Sequence, residues 1–355
     1  MDHNTPADRG EPSHNNSNSN SVKAQVVSFE DSTDAQATNV ETQAANANLW
    51  TIDDEEYAKL NNREFAPGPF SRGSKLGTGG WCTVYKVRRH RDGAVFAGKT
   101  SKFPQQLQKE RYILPNLSHN HLIEYADWYE DRANPLGTML VMELCTGGTI
   151  QDRINLLPKT IGRKEALLVI SQTAQAIDYI HCRNLVHTDV KPRNILIRSW
   201  DPVDVVLADC ADIKPMAYRG KAVGTEAYWS PYIAHFKRHG GKSDDVWALG
   251  VTLLGLMAQW PKLNNGLDLK QYPTRCYHHG QSLSALNPDD KIIQLLSRMF
   301  IWQHAQRITA AECVRLAEEM LTVMAQNETT GDMDMAKVNE FDIETPGDFA
   351  PIMFW

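Results

Sequence analysis

The sequence has only six cysteines in 355 residues, and no two of them form a CxxC pair. That spacing supplies neither a cysteine-ligated zinc ribbon nor a secreted disulfide framework, so the thiols are read as free. No apolar run reaches the ~20 residues that a membrane-crossing helix needs, and the N-terminus is polar where a secretory leader is hydrophobic. Excess positive charge is missing too. The net charge of −6 gives no broad cationic field, so neither nucleic acid nor a membrane surface is an expected partner. These absences predict a cytoplasmic or nuclear protein. The stretch Cys276, Tyr277, His278, His279 has metal-capable side chains, but further ligands at zinc spacing are lacking, and it is read as a surface loop.

What is present is an ordinary globular composition, 42% hydrophobic and 23% charged, long enough for two average domains or one large two-lobed one. Residues 1–48 are rich in Asn, Ser, Ala and Thr and predict a disordered tail, because they cannot offset the entropy of ordering. Residues 49–69 read as a linker or extension punctuated by Pro67, Gly68 and Pro69. From Phe70 to Phe96 the pattern alternates as half-buried strands do, and "VFAGK" ends a further strand. Residues near 104–115 suit a helix ended by Pro115; "LIEYADWYED" and "GTMLVMEL" read as two more strands.

Beyond Gly148 the period becomes helical. Leu167, Ile170, Ala174, Ile177 and Ile180 lie on one face, "DVWALGVTLLGLM" is apolar nearly all round, and "ITAAECVRLAEEML" gives a late helix beginning near Thr309. The fold class is therefore α+β: a small antiparallel sheet with one main helix, over about 70–144, then a larger, mostly helical part over about 145–325. Residues 326–355 read as a C-terminal tail whose end, "DFAPIMFW", either docks in a groove or frays.

Moving a phosphoryl group from ATP requires backbone donors around the phosphates, a cation to orient them, oxygen ligands for magnesium and a group that positions the acceptor hydroxyl. Each has a candidate, in order along the chain. In "LGTGGWCTV" the glycines Gly77, Gly79 and Gly80, with Thr78 between them, let a hairpin backbone approach phosphate, and Leu76 and Val84 are placed to cover a base. Such a hairpin alone is a weak signal. Lys99 follows on the next strand, two residues after Ala97, and Glu110 falls on the predicted helix, where an ion pair would aim the ammonium. "HTDVKPRN" is far more specific: Asp189 can accept from the acceptor hydroxyl, Lys191 can neutralise the moving phosphate, and Asn194 can ligate magnesium. Asp209, between the apolar run "VVLA" and a short loop, takes the other metal position.

With these motifs the chain from about 70 to 325 resembles the eukaryotic protein kinase superfamily, as a divergent Ser/Thr-type member. The resemblance implies a bilobal fold, ATP and Mg2+ as cofactors and a protein substrate, with a regulatory partner reached through either tail. It makes Met142 the gate to the back pocket, gives Glu143 to Cys145 backbone contacts with adenine, and places Leu196 under the base. "GTEAYWSP" is similar to the family's substrate-facing loop, and Asp245 in "SDDVWALG" would brace the catalytic loop. Thr225 with "KPRN" points to the Ser/Thr branch.

Several residues depart from that pattern. Cys82 replaces a loop glycine. Thr188 replaces the Arg that normally receives an activation-segment phosphate, and no Ser or Thr lies between Cys210 and Gly224, where only Tyr218 bears a hydroxyl. The two absences match, and imply activity independent of activation-loop phosphorylation. Cys210 and Ala211 stand where Phe and Gly are usual. Tyr232 replaces the acid that would pair with Arg307, which must then find another partner or the tyrosine hydroxyl. Arg193, where basic-directed kinases carry an acid, disfavours substrates with upstream arginine. Cys82, Cys145 and Cys210 fall near the cleft as apolar fillers or, alternatively, as redox sensors. The leading expectation is an active Ser/Thr kinase, the competing one a pseudokinase scaffold; the five groups that meet ATP, metal and acceptor are all present.

Overall fold

A computed structural model describes residues 68–130, 137–156, 161–239, 241–261 and 269–330, with Phe341 and Ile343. The expected disordered tail, almost all of the linker and "DFAPIMFW" lie outside these residues.

Five antiparallel strands form the smaller lobe: β1 (Phe70–Thr78), β2 (Cys82–Arg89), β3 (Val95–Ser101), β4 (Tyr125–Tyr129) and β5 (Met139–Met142), in the order β1-β2-β3-β5-β4. The period-2 pattern of β2 buries Thr83, Tyr85 and Val87 on one side. Phe70, Tyr85, Val87, Met139 and Val141 make a small cluster on that face. At Gly98 on β3, an added Cβ would come within 2.8 Å of Val87 and collide with Met139. Only glycine lets β3 lie flat here, and Lys99 is the next residue.

Helix α1 (Pro104–Ile113) begins with proline at its first turn, where a missing N–H costs nothing. It ends in a 3-10 turn, Leu114–Asn116, which contains Pro115.

The larger lobe is built on α3 (Arg163–Cys182), which follows the short α2 (Ile150–Leu156). The five apolar residues of its predicted face are all fully buried, the leucine and the three isoleucines each contributing about 1.5–3 kcal/mol of apolar transfer and Ala174 less. Strand pairs β6 (Leu185–Val186) with β9 (Lys214–Pro215), and β7 (Ile195–Trp200) with β8 (Val203–Leu207), carry the loops of the site. Helix α4 (Pro231–Phe236) precedes α5 (Lys242–Leu256), in which every residue from Asp244 to Leu256 is buried. Helices α6 (Tyr272–Leu286) and α7 (Lys291–Met299) follow.

Two expectations are corrected. The segment Cys276 to His279 is no surface loop: it lies within α6, and Cys276 and His279, three apart on one face, are buried. The last helix, α8 (Ala310–Thr330), runs past residue 325, because Met320, Leu321 and Met324 keep packing on the core and Lys164 bonds Glu328 at 2.8 Å. Farther along the expected tail, Phe341 and Ile343 pack against the same core, with the Arg163 guanidinium 5.2 Å from the Phe341 ring.

Candidate active site

Lys99 is delivered by β3, opposite Val84 on β2 and Leu140 on β5, while Ala97 lies opposite Met142. Its Nζ donates to Glu110 Oε2 and to Asp209 Oδ1, both at 2.7 Å. Glu110, from α1, is wholly buried and also accepts the Cys210 N–H at 3.1 Å through Oε1. One helix carboxylate thus fixes both the lysine and the turn after Asp209. Burial opposes the charge on Lys99, but Glu110 and Asp209 hold its pKa well above the ordinary lysine value. Lys99 in turn holds the Asp209 carboxyl below the usual range against its own burial.

Asp189 is gripped by four donors. Its Oδ1 accepts from the Thr225 N–H (2.9 Å) and Oγ1 (2.8 Å), and its Oδ2 from Lys191 Nζ (2.6 Å) and Asn194 Nδ2 (3.0 Å). Lys191 also donates to Thr225 Oγ1 at 2.7 Å. This carboxylate cannot rotate without breaking several charge-assisted bonds. Asn194 donates again to the Asp189 carbonyl at 2.7 Å, so its amide nitrogen is committed and its side-chain oxygen is the ligand end.

The loop beneath is held by buried Asp245 on α5, which accepts the N–H groups of His187 and Thr188, each at 2.8 Å, and His181 Nε2 at 2.9 Å. Burial raises the pKa of Asp245, yet the His181 bond and nearby histidines bring it below the usual value. The His187 ring donates from Nε2 to the Ala208 carbonyl at 3.1 Å, joining the catalytic loop to the Asp209 strand. Thr188 (φ 72°) and Asp209 (φ 63°) both have left-handed backbone, strained for a non-glycine residue and most of all for β-branched Thr188. Gly224 (φ 87°) passes so close to the Thr188 carbonyl that a Cβ would collide with it.

The glycine hairpin pairs Gly77 with Val84 and Thr78 with Thr83, and Gly79 N–H donates to the Cys82 carbonyl at 2.8 Å. A Cβ at Gly77 or Gly80 would meet nothing in the protein itself, so bareness there leaves room for a ligand. Leu76 is largely exposed, Val84 and Leu196 half-buried, and Met142 buried. At the hinge, Glu143 commits its N–H to the Glu124 carbonyl (3.0 Å) and its carboxylate to Arg198 (2.6 and 2.8 Å). Cys145 is half-buried, its thiol pushed up to about 12 by burial and by Glu143. Burial raises the Cys82 and Cys210 thiols as well, the character of apolar fillers rather than of reactive thiolates.

Asn194 and Asp209 offer hard oxygen ligands, and Mg2+ typically takes only one or two protein ligands beside phosphates and water. The residues therefore fit that ion.

Four partners were not assigned from the sequence. Thr225, read only as a mark of the Ser/Thr branch, is a direct partner of Asp189. Thr188 Oγ1 donates to the Asp212 carbonyl at 2.9 Å. His239 Nε2 accepts the Val223 N–H at 3.1 Å, and Arg198 braces Glu143. Buried Arg307 does not bond Tyr232: it donates to the carbonyls of Ile301 (3.0 Å), Ser243 (2.7 Å) and Trp302 (3.4 Å). Tyr232 stacks instead on Phe236 and His304. Only a "carbonyl cage" reading of a lone buried Arg would have found these bonds, and backbone acceptors leave no trace in side-chain identity.

Among curated proteins, the chain is 30% identical over 209 residues to mitogen-activated protein kinase kinase kinase 17 of Arabidopsis thaliana, covering 56% of this chain and 55% of the relative. It is 32% identical over 216 residues to a calcium/calmodulin-dependent protein kinase of Metarhizium anisopliae, covering 57% and 52%. With calcium-dependent protein kinase 29 of Arabidopsis thaliana it shares 29% over 266 residues, 68% of this chain and 47% of the relative. The chain thus spans about half the length of these relatives. The family described as the protein kinase domain matches residues 70–317, and with the two-lobed fold this settles the family: the chain belongs to the protein kinases.

Proposed function

We propose that this chain is an active protein serine/threonine kinase, transferring the γ-phosphate of ATP to a hydroxyl of a protein substrate without activation-loop phosphorylation. The observation that carries the reading is the Asp189 carboxylate, aimed by Lys191, Asn194 and Thr225 beside the Lys99–Glu110–Asp209 triad. An entering Ser or Thr hydroxyl replaces the Thr225 hydroxyl on Asp189 Oδ1 and gives up its proton toward that carboxylate. Lys191 balances charge on the moving phosphoryl group, and Lys99 orients the remaining phosphates. Mg2+, held by Asn194 and Asp209, supplies charge neutralisation when bound. Ala97, Met142, Leu196, Leu76 and Val84 receive the base.

Independence from phosphorylation is supported by the bonds that hold the activation segment. Thr188 ties Asp212, β9 pairs with β6, and His239 and Lys237 bind the main chain at Val223 and Ala222. Exposed Arg193 repels upstream arginine in a substrate. Six unpaired cysteines suit a reducing, cytoplasmic or nuclear setting.

The test is purified protein with magnesium and ATP against a generic peptide library, beside Asp189→Asn. Phosphorylation of Ser or Thr by the parent and not by the variant is expected. Nucleotide binding with no turnover in either protein would make the chain a pseudokinase scaffold.

A further inference from the structure

Lys221 and Arg238 face each other across an isolated antiparallel bridge, while the Ala222 N–H donates to the Lys237 carbonyl at 3.0 Å. Like charges directly opposed on paired strands repel, and the pairing is destabilising unless something anionic lies over it. Both side chains are exposed, as are Arg219 and Arg193. None of the four lies within ion-pair distance of a carboxylate among the described residues, whereas the cations of the catalytic cluster are all paired.

The concentration is local. The chain as a whole has 43 acidic against 37 basic residues, yet from Ile213 to His239 five cations, Lys214, Arg219, Lys221, Lys237 and Arg238, stand against one acid, Glu226. Of the five, Lys214 alone is ion-paired among the described residues, 3.6 Å from Asp212. Lys214 and Lys237 lie over the Tyr218 and Trp229 rings (5.9 and 4.4 Å) and Arg219 donates to the Met216 and Tyr218 carbonyls (2.8 and 3.0 Å), which leaves Lys221 and Arg238 as the pair to which no such contact among the described residues gives a structural role.

Position gives the patch a role. Lys221 lies four residues before Thr225, at most about 14 Å of extended chain from the residue that bonds Asp189. An acceptor peptide covers the same distance in about four residues. Arg193 stands two residues beyond Lys191 and four beyond Asp189 in the catalytic loop, and is exposed.

We infer that this surface selects acceptor peptides with carboxylates flanking the target hydroxyl, read chiefly by Lys221 and Arg238 with Arg193 as a further contact. This deepens the kinase reading by naming the substrate class, and it rests on that reading only for turnover; binding is independent of it.

The experiment uses the full chain and labelled peptides that share one serine-centred sequence and differ only in flanking glutamates, glutamines or lysines. Fluorescence anisotropy should show the glutamate peptide bound about tenfold more tightly than the glutamine one, with the gap closing as salt is raised. The double variant Lys221→Glu/Arg238→Glu should favour the lysine peptide instead. Arg193→Gln should narrow the gap without reversing it. The double variant exchanges one like-charge pair for another and Arg193→Gln removes one exposed charge, and a thermal melt verifies that both fold. Equal binding of the glutamate and glutamine peptides overturns the inference, as does a preference that survives the double variant, or displacement of the glutamate peptide by a single-stranded oligonucleotide as readily as by itself. Phosphorylation assays run in parallel separate the two readings: acidic preference without any turnover removes the kinase activity and leaves this surface, and turnover without acidic preference does the reverse.

Discussion

The Thr188 hydroxyl donates to the main-chain carbonyl of Asp212 at 2.9 Å, joining the catalytic loop directly to the segment after Asp209. On the proposed reading, this neutral contact is one of those that make an activation-segment phosphate unnecessary. Thr188→Ala should lower kcat/KM by about tenfold, the worth of one hydrogen bond of ~1 kcal/mol plus a freed loop, while Thr188→Ser retains most activity. Tyr218→Phe should leave the rate unchanged. Steady-state kinetics on the three variants checks this, and a large loss in Tyr218→Phe would reinstate a phosphorylation site.

Lys99 is the shared cation of two carboxylates, one of them wholly buried. Lys99→Met leaves Glu110 without its counter-charge, an uncompensated buried anion that costs about 3–5 kcal/mol unless it takes up a proton. Denaturant unfolding should show that loss at neutral pH and less of it in acid, and the thermal shift produced by magnesium and ATP should vanish.

His239 ought to make the activation segment sensitive to acid. Burial holds its pKa below the ordinary histidine value; Asp244 and Asp245 at the start of α5 oppose this, Lys214 of β9 adds to it, and Asp212 opposes it. The Tyr218 ring lies beside it, 6.2 Å between centroids. Its Nε2 must be unprotonated to accept the Val223 N–H. The unfolded chain protonates first as the pH drops below ~6.5, so the latch contributes fully above that value and is lost as the pH falls through the depressed folded value. His279, lowered to about 4 by burial, destabilises in the same direction, so the informative quantity is the difference between parent and His239→Gln. The glutamine accepts the same bond without titrating; its kcat/KM should decline less steeply in acid.

Arg307 is 5% exposed and, among the described residues, hydrogen-bonded only to carbonyls, with its pKa brought down to about 10 by burial against the pull of Asp244. Arg307→Ala strands three acceptors and opens a void beside Trp247, whose ring is 5.0 Å from the guanidinium. The expected loss is about 3–5 kcal/mol by chemical denaturation. Tyr232→Phe, which removes a hydroxyl that Arg307 does not use, should change stability by less than ~0.5 kcal/mol.

The elements that a reader of the sequence can find are those fixed by local rules. Strand β2 alternates, the face of α3 repeats every three or four residues, and Pro104 opens α1 at a position where proline belongs. The ordered motifs also single out Lys99, Glu110 and Asp209, which bond one another, and Asp189 and Asn194, which do likewise, since each sits in a recognisable local context. Most of what the sequence does not disclose is side-chain bonding to backbone outside the motifs. Asp245, inside one, is the exception that was legible, and Thr225 and Arg198 are hidden although they bond side chains. Thr188 to Asp212, His239 to Val223 and the three carbonyls of Arg307 pair a side chain with an acceptor or donor that every residue owns. The burial of Cys276 and His279 is hidden for another reason: the absence of zinc-spaced ligands says nothing about burial, and it is the helical three-residue spacing that puts those two on the inner face.

Left-handed backbone at Thr188 and Asp209 has a consequence for anyone who engineers this chain. Each such position costs about 1–3 kcal/mol, which glycine or asparagine would recover in part. Selection for heat tolerance alone will therefore drift toward these two addresses, and the hardiest progeny will be those that no longer aim the Thr188 hydroxyl at Asp212 or the Asp209 carboxylate at Lys99.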